Sequence, residues 1–485
     1  MKNKTNPFKF GNNSWKYLLF MFLISLPLFL HLDFLTLRLW DEARTALNAS
    51  EMYHSGNYLI PTYNGEPDMW NLKPPLMVWL QVFCMKLTGV NEWAVRLPSA
   101  LAALFTCFII MFIAVRYVKN FWFGFFCALV LVTSRGYVGF HNARTGDYDA
   151  LLTLFLTLGN FAFFIFLENS KTKYLYLFFL SLIWAALTKS TAALMIVPGL
   201  FVYVIFKRKL LFLLKNKHLY IGFAIFLVCA CGYFFLREIY NQGYLKEIWE
   251  SDFGGRYLTT LFDHKQGFWF YFGNLFDHRF IIWVFFIPFG IYFGLKNRDV
   301  RIKNLTLFSS IITLTYFLFI SFAQTKLSWY ALPMYPFLAI LAGICVYHIF
   351  CVLKEKKLKY KALPYIVVGL IFITPYTLII ESLKAKFPHY DYETCHYLRS
   401  IAQGKIEKDD FIILYDGTFF HGEFYINLLQ EQGKNIARKK REDIKAGQVV
   451  LVPQDKIKKY LEEKYEYFTL EEYGEFGIYE IVSEK

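Results

Sequence analysis

The sequence predicts an all-α polytopic membrane protein with a small soluble α/β domain at its C-terminal end. Three observations lead there. The chain has 485 residues and is 56% hydrophobic and 20% aromatic, too apolar for a soluble protein of this size. Stretches of about twenty apolar residues recur along it, the length that crosses a bilayer. Basic clusters separate them at Arg116/Lys119, Lys171/Lys173, Lys207 through Lys217, Lys296 through Lys303 and Lys354 through Lys361, where loops inside the cell belong. The net charge of +14 is therefore assigned to cytoplasmic loops and a lipid bilayer, not to nucleic acid.

Taken in order, residues 1–14 are basic and polar. The first span runs over Trp15–Leu35; its length and the lack of a small-residue cleavage site make it an anchor and not a removed signal peptide. Lys2, Lys4, Lys9 and Lys16 keep the N-terminus inside, so the loop that follows faces outside. Leu76–Gly89 is apolar but short, which predicts an interfacial or re-entrant helix. Further spans are expected at 92–118, 121–135, 149–167, 174–189, 191–206, 218–239, 279–296, 304–322, 331–352 and 362–382, about eleven in all, and an odd count puts the C-terminus outside. This gives a membrane domain over 1–386, with a first outer loop over 36–92, and an outer α/β domain over 387–485. In the latter, strands are expected at 411–415, 449–452, 465–469 and 476–482, and helices at 391–403, 421–432 and 454–463. Eight cysteines make no disulfide framework. Most lie in apolar spans and act as small hydrophobes, and Cys395 stands alone in the tail.

The outer loops differ from the inner ones. They carry acids, Arg, His and aromatics, so the chemistry is expected on the outer face. The stretch Trp40–Pro75 is the strongest candidate, being long for a connector. Asp41 and Glu42 are adjacent carboxylates that suit a general base and a neighbour positioning an acceptor; plain first-turn acids favoured by the helix dipole would look the same. Asp147 alone reads as a helix cap, whereas Asp149, just inside a span, suggests a polar cavity. Lys73, Arg256 and Lys326 are cations in outer loops and suit a phosphate group. Asp252 and His264, with Asp68 and Asn71, are the oxygen and nitrogen donors available to a metal, without recognisable ligand spacing.

These residues resemble the membrane glycosyltransferases of the GT-C class, in the group of the protein O-mannosyltransferases and the lipid A aminoarabinose transferases (glycosyltransferase families 39 and 83). The resemblance covers roughly residues 15–350. It is carried by Asp41-Glu42-Ala43-Arg44, Asn64-Gly65-Glu66-Pro67, Lys73-Pro74-Pro75-Leu76, Asn91 to Pro98, Ala143-Arg144-Thr145 with Asp149, Phe268 to Tyr271, and Lys326 to Pro333. It implies a GT-C helical bundle with interfacial helices in the first outer loop. The implied donor is a sugar on a polyprenyl phosphate, and the acceptor lipid A, another glycan or a protein. The implied site lies on the periplasmic side of a bacterial inner membrane. Asp41 would be the catalytic base of an inverting displacement, with Glu42 and Asp149 beside it. Arg44 and Arg144 would bind substrate, Lys73, Arg256 and Lys326 would hold the leaving phosphate, and Tyr330 would line the carrier's path.

One departure bears on the metal. The aminoarabinose transferases carry a metal-binding Glu just before the lysine that aligns with Lys73, and this chain has Leu72 there. A divalent ion is therefore not expected to be required, and the cations are expected to supply the charge. Two other functions compete: a transporter or flippase of lipid-linked sugars, and an outer-face polysaccharide ligase or polymerase. The first should show inverted repeats and mid-span charges, which are not evident. The second should carry its long outer loops between later spans.

Overall fold

A computed structural model describes residues 14–139, 141–251, 265–356, 360–384, 392–474 and 476–485. Contacts divide the chain into two compact units. One comprises Met1–Leu30, Leu72–Met77 and Pro98–Leu383; the other comprises His31–Asn71, Val78–Leu97 and Lys384–Lys485.

The chain is mainly helical. Among the described residues seven helices are long and apolar enough to cross a membrane: Glu92–Val118, Tyr148–Asn169, Thr172–Phe206, Lys217–Tyr240, Val300–Phe322, Ser328–Glu355 and Leu363–Ser382. The sequence divides Thr172–Phe206 into two spans. In the structure it is one helical run broken at Ser190, where φ of 41° and ψ of −123° end the first helix before a 3-10 turn over Ser190–Ile196. The expected spans at 15–35, 121–135 and 279–296 are the shorter helices Ser14–Phe29, Phe121–Val132 and Trp283–Leu295. A twelve-residue helix rises about 18 Å, short of the roughly 30 Å hydrocarbon layer. Two of these short helices pack tightly on Tyr335–Glu355. A Cβ at Gly290 would lie 1.7 Å from the Leu341 carbonyl oxygen, and one at Gly343 would lie 2.6 Å from Cys127 Sγ. Small residues permit such close helix approach in membranes.

The second unit is built on a five-stranded sheet. Its strands are β3 (Asp410–Leu414), β4 (Asn435–Lys439), β5 (Val449–Val452), β6 (Tyr465–Glu472) and β7 (Gly477–Glu484), in the order β4-β3-β5-β7-β6. A small hairpin, β1 (Thr62–Tyr63) with β2 (Glu66–Pro67), turns at Asn64-Gly65 in the first loop, as expected for that dipeptide. β3 pairs in parallel with β4 and β5, while β7 is antiparallel to β5 and β6. Helices Tyr392–Ala402, Phe420–Glu431 and Asp455–Lys464 complete it.

The sequence assigned the first outer loop to the membrane domain. In the structure most of it belongs with the tail. The helix Asp41–Ser55 buries Ala46, Leu47, Ala49 and Met52, and these share one apolar cluster with Leu398, Phe411, Ile413, Tyr425 and Leu429. The Tyr425 hydroxyl fastens the loop further. It donates to Glu92 Oε1 at 2.7 Å and accepts from the Leu37 N–H at 3.0 Å. Cys395 is fully buried in this core.

Candidate functional site

The first-loop residues form a buried ionic framework in the second unit. Helix Asp41–Ser55 starts directly after Trp40, a non-glycine residue at φ 75° and ψ −123°. A positive φ at a bulky residue is held only where its surroundings over-determine it. Glu42, expected beside the base, is fully buried. Its Oε1 accepts from Arg96 Nε at 2.7 Å, and its Oε2 accepts from Arg96 Nη2 at 3.1 Å and the Arg38 N–H at 2.9 Å. Arg96 also donates to the carbonyls of Leu32, Leu35 and Thr36 at 3.0, 2.7 and 2.8 Å. The resemblance quoted Arg96 without assigning it a role; here it ties the loop entry to the helix that follows. Asp41 is half-buried, and its carbonyl accepts from Thr45 Oγ1 at 2.7 Å.

Arg44 grips Asp68 through Nε and Nη2, at 2.7 and 2.9 Å. Its guanidinium lies 3.4 Å from the Tyr63 ring centre and 4.5 Å from that of Phe420. Asp68 further accepts from Asn48 Nδ2 and the N–H groups of Trp70 and Asn71, at 2.9, 2.9 and 3.0 Å. Burial alone would raise its pKa, but the bonds from Arg44, Asn48 and Asn71 outweigh it and hold the carboxyl below the ordinary range. Burial, reinforced by the bond to Glu423, pushes the Tyr63 hydroxyl up to about 12. Leu72 and Asp68 do not suit a metal. Leu72 has no donor side chain, and both oxygens of Asp68 are already saturated by hydrogen bonds. The other metal candidates, Asp252 and His264, lie outside the described residues, as does Arg256.

A second constellation lies wholly in the membrane unit. Helices Tyr148–Asn169 and Thr172–Lys189 pack against each other, and Asp149 opens the first while Lys189 closes the second. Each charge suits its helix end. Lys189 Nζ lies 2.6 and 2.8 Å from the two Asp149 oxygens and 5.0 Å from the Tyr330 ring centre. Lys73 Nζ lies 4.9 Å from the Tyr148 ring centre. Lys73, Asp149, Lys189, Thr325 and Tyr330 line one cavity, with Tyr316 supporting it by donating to the Tyr330 carbonyl at 3.1 Å. The sequence singled out Lys73, Asp149 and Tyr330. It missed Lys189, read only as the junction of two spans, although an ionisable residue inside a long apolar run is itself a signal.

Other expected site residues are placed differently. Lys326 Nζ donates to the carbonyls of Gln266 and Ala323, at 3.1 and 2.6 Å, and burial lowers its pKa. Arg144 Nη1 donates to the carbonyls of Pro27 and Leu28, at 3.1 and 3.2 Å. Asp147 stands at the N-cap position yet makes no capping bond with its side chain. Its Oδ2 instead lies 3.1 Å from His141 Nδ1, and the His141 ring stacks on Trp329 with centroids 3.8 Å apart.

Comparison with known proteins places this architecture. Residues 72–234 match the family described as dolichyl-phosphate-mannose-protein mannosyltransferase. An uncharacterised protein of Aquifex aeolicus (strain VF5) is 26% identical over 335 residues, 68% of this chain and 63% of its own length. This chain thus spans less than two thirds of that relative. The undecaprenyl phosphate-alpha-4-amino-4-deoxy-L-arabinose arabinosyl transferase 1 of Proteus mirabilis (strain HI4320) is 27% identical over 389 residues, 78% of this chain and 67% of that one. Among solved structures, ArnT from Cupriavidus metallidurans bound to undecaprenyl phosphate superposes with a TM-score of 0.73 at 18% identity, covering 97% of this chain and 98% of that one. An Archaeoglobus fulgidus oligosaccharyltransferase gives 0.51 at 11% identity, over 88% and 64%. In family match, relatives and fold, the chain is similar to the GT-C glycosyltransferases of the protein O-mannosyltransferase and ArnT type.

Proposed function

We propose that this protein is an integral-membrane glycosyltransferase that moves a sugar from a polyprenyl-phosphate carrier to an acceptor on the periplasmic face of a bacterial inner membrane. The observation that carries the reading is the cavity lined by Lys73, Tyr330 and the ion pair of Lys189 with Asp149. That excess of positive charge suits a phosphate whose charge grows as the sugar leaves. The names of the relatives, and the undecaprenyl phosphate bound by the ArnT structure, support a polyprenyl-linked donor.

In this reading Asp41 takes the proton from the acceptor hydroxyl as its oxygen attacks the anomeric carbon. The bond from that carbon to the phosphate oxygen breaks, the electron pair stays on the phosphate, and configuration inverts. Lys73 neutralises the departing phosphate, and Asp149 keeps Lys189 oriented toward it. Lys326 and Arg256 are further candidates for the same anion. Glu42 and Arg44 act through the fold of the loop. The acceptor is a glycolipid such as lipid A, another glycan or a protein.

The test uses the full chain in nanodiscs with a panel of labelled pentoses and hexoses on undecaprenyl phosphate, plus membranes as acceptor source. The expected result is label on a product that mild acid no longer releases from the carrier. Label that crosses a proteoliposome membrane while still linked to its carrier would overturn the reading in favour of a flippase.

A further inference from the structure

Lys73 belongs to the six-residue segment Leu72–Met77 of the membrane unit, whose flanking residues belong to the other unit. Its ammonium can serve the cavity only if this short segment is fixed. The Leu72 carbonyl accepts a 2.8 Å hydrogen bond from the Tyr244 hydroxyl, and Tyr244 is fully buried.

Tyr244 is itself held from two sides. The guanidinium of Arg237, fully buried in the last turn of the Lys217–Tyr240 span, lies 3.9 Å from the centre of its ring. A cation on the ring face draws electron density from the phenol and strengthens it as a donor. The short helix Tyr244–Ile248 that carries the tyrosine follows Gly243, at φ 90°. Glu238 clamps its start, its two carboxylate oxygens accepting from the Gly243 N–H at 2.9 Å and the Leu245 N–H at 2.7 Å. Charge-assisted bonds of this kind fix a helix start firmly. An unbroken series of contacts therefore runs from Glu238 and Arg237 through Tyr244 to the backbone one residue before Lys73.

We propose that Tyr244 is a positioning residue for the carrier phosphate: held by Arg237 and the Glu238 clamp, its hydroxyl fixes the Leu72 carbonyl and so sets the Lys73 ammonium in the cavity. The inference rests on the reading that Lys73 takes that phosphate.

The test is a double-mutant cycle read by binding of undecaprenyl phosphate to the full chain in nanodiscs. Tyr244→Phe should weaken binding about fivefold, the worth of one hydrogen bond, and Lys73→Ala about tenfold or more. The Lys73→Ala/Tyr244→Phe double variant should bind within about twofold of Lys73→Ala alone, because the positioned group is gone. Glu238→Gln, which keeps the shape and weakens the clamp, should show a smaller loss that also vanishes without Lys73; it carries the test if Tyr244→Phe unfolds. Equal losses with and without Lys73, or no loss in either single variant, would overturn the proposal and leave Tyr244 a packing residue. Unchanged binding in Lys73→Ala would overturn the reading of Lys73, and the positioning role with it.

Discussion

Replacing Arg96 by methionine removes one side chain and strips partners from four groups at once. Glu42 loses both guanidinium contacts while staying buried, and the carbonyls of Leu32, Leu35 and Thr36 each lose a donor. Breaking a buried ion pair from one side costs ~3–5 kcal/mol. An unsatisfied buried carbonyl adds ~1–3 kcal/mol where water cannot replace its partner. The Leu35 carbonyl is only part-buried and can turn to water, so the ion pair and the two buried carbonyls of Leu32 and Thr36 give an expected loss of about 5–11 kcal/mol for the second unit. For a unit of this size that corresponds to a fall in melting temperature of about 10 °C or more. Differential scanning fluorimetry in nanodiscs, with limited proteolysis of the tail as a second probe, reads it. Arg96→Lys should be intermediate, since an ammonium cannot reproduce the planar fork. Glu42→Leu with Arg96→Met should recover part of the loss, because removing both charges leaves neither stranded. Melting of Arg96→Met within 2 °C of the parent (roughly one kcal/mol or less) would refute the view that Glu42 and Arg96 hold the loop in its fold.

Three further outcomes follow from the same structure. Asp68 has a folded pKa below its unfolded value of ~3.9, so its contribution is fully present above that value and is lost as pH falls through the folded pKa; melting measured from pH 7 to pH 3 should fall more steeply below about pH 4 in the parent than in Asp68→Asn, and parallel curves would contradict this. Transfer by the purified protein should survive exhaustive chelation, because Leu72 cannot ligate and Asp68 is saturated; loss on chelation with rescue by one divalent ion would reverse this and direct attention to His141 and Asp147, then to Asp252 and His264. For orientation, Cys395 is too buried to label, so the exposed Lys405 is the better reporter: Lys405→Cys should react with an impermeant maleimide in intact spheroplasts, and labelling only after lysis would place the tail inside.

The membrane class and most helices were legible because apolar runs and Lys clusters report directly on bilayer crossing. The tail strands β3 and β5 were legible as runs of Val, Ile and Leu. β4 was not: Asn-Ile-Ala-Arg-Lys carries one large apolar side chain, and only the edge of β3 makes it a strand. The assignment of the first loop was missed for a related reason. Hydropathy marks where the chain leaves the membrane but not what the loop helix packs on, and the shared core of Leu47 with Tyr425 joins residues far apart in sequence. In the cavity, Lys73, Asp149 and Tyr330 were legible as charges and an aromatic at the ends of apolar spans. Lys189 was hidden by its place inside an apolar run. The bond of Glu42 to Arg96 was hidden because adjacency to Asp41 says nothing about a partner 54 residues away.

The central claim is tested most directly by Asp41→Asn. The change keeps the side chain's shape and removes its ability to accept a proton. The account predicts that label transfer from a sugar–undecaprenyl phosphate falls by about 10²–10⁴-fold, the range general-base catalysis supplies, while undecaprenyl phosphate binding and melting temperature stay at the parent's values. Turnover within a few-fold of the parent, with binding and stability intact, would contradict the assignment of Asp41 as the base.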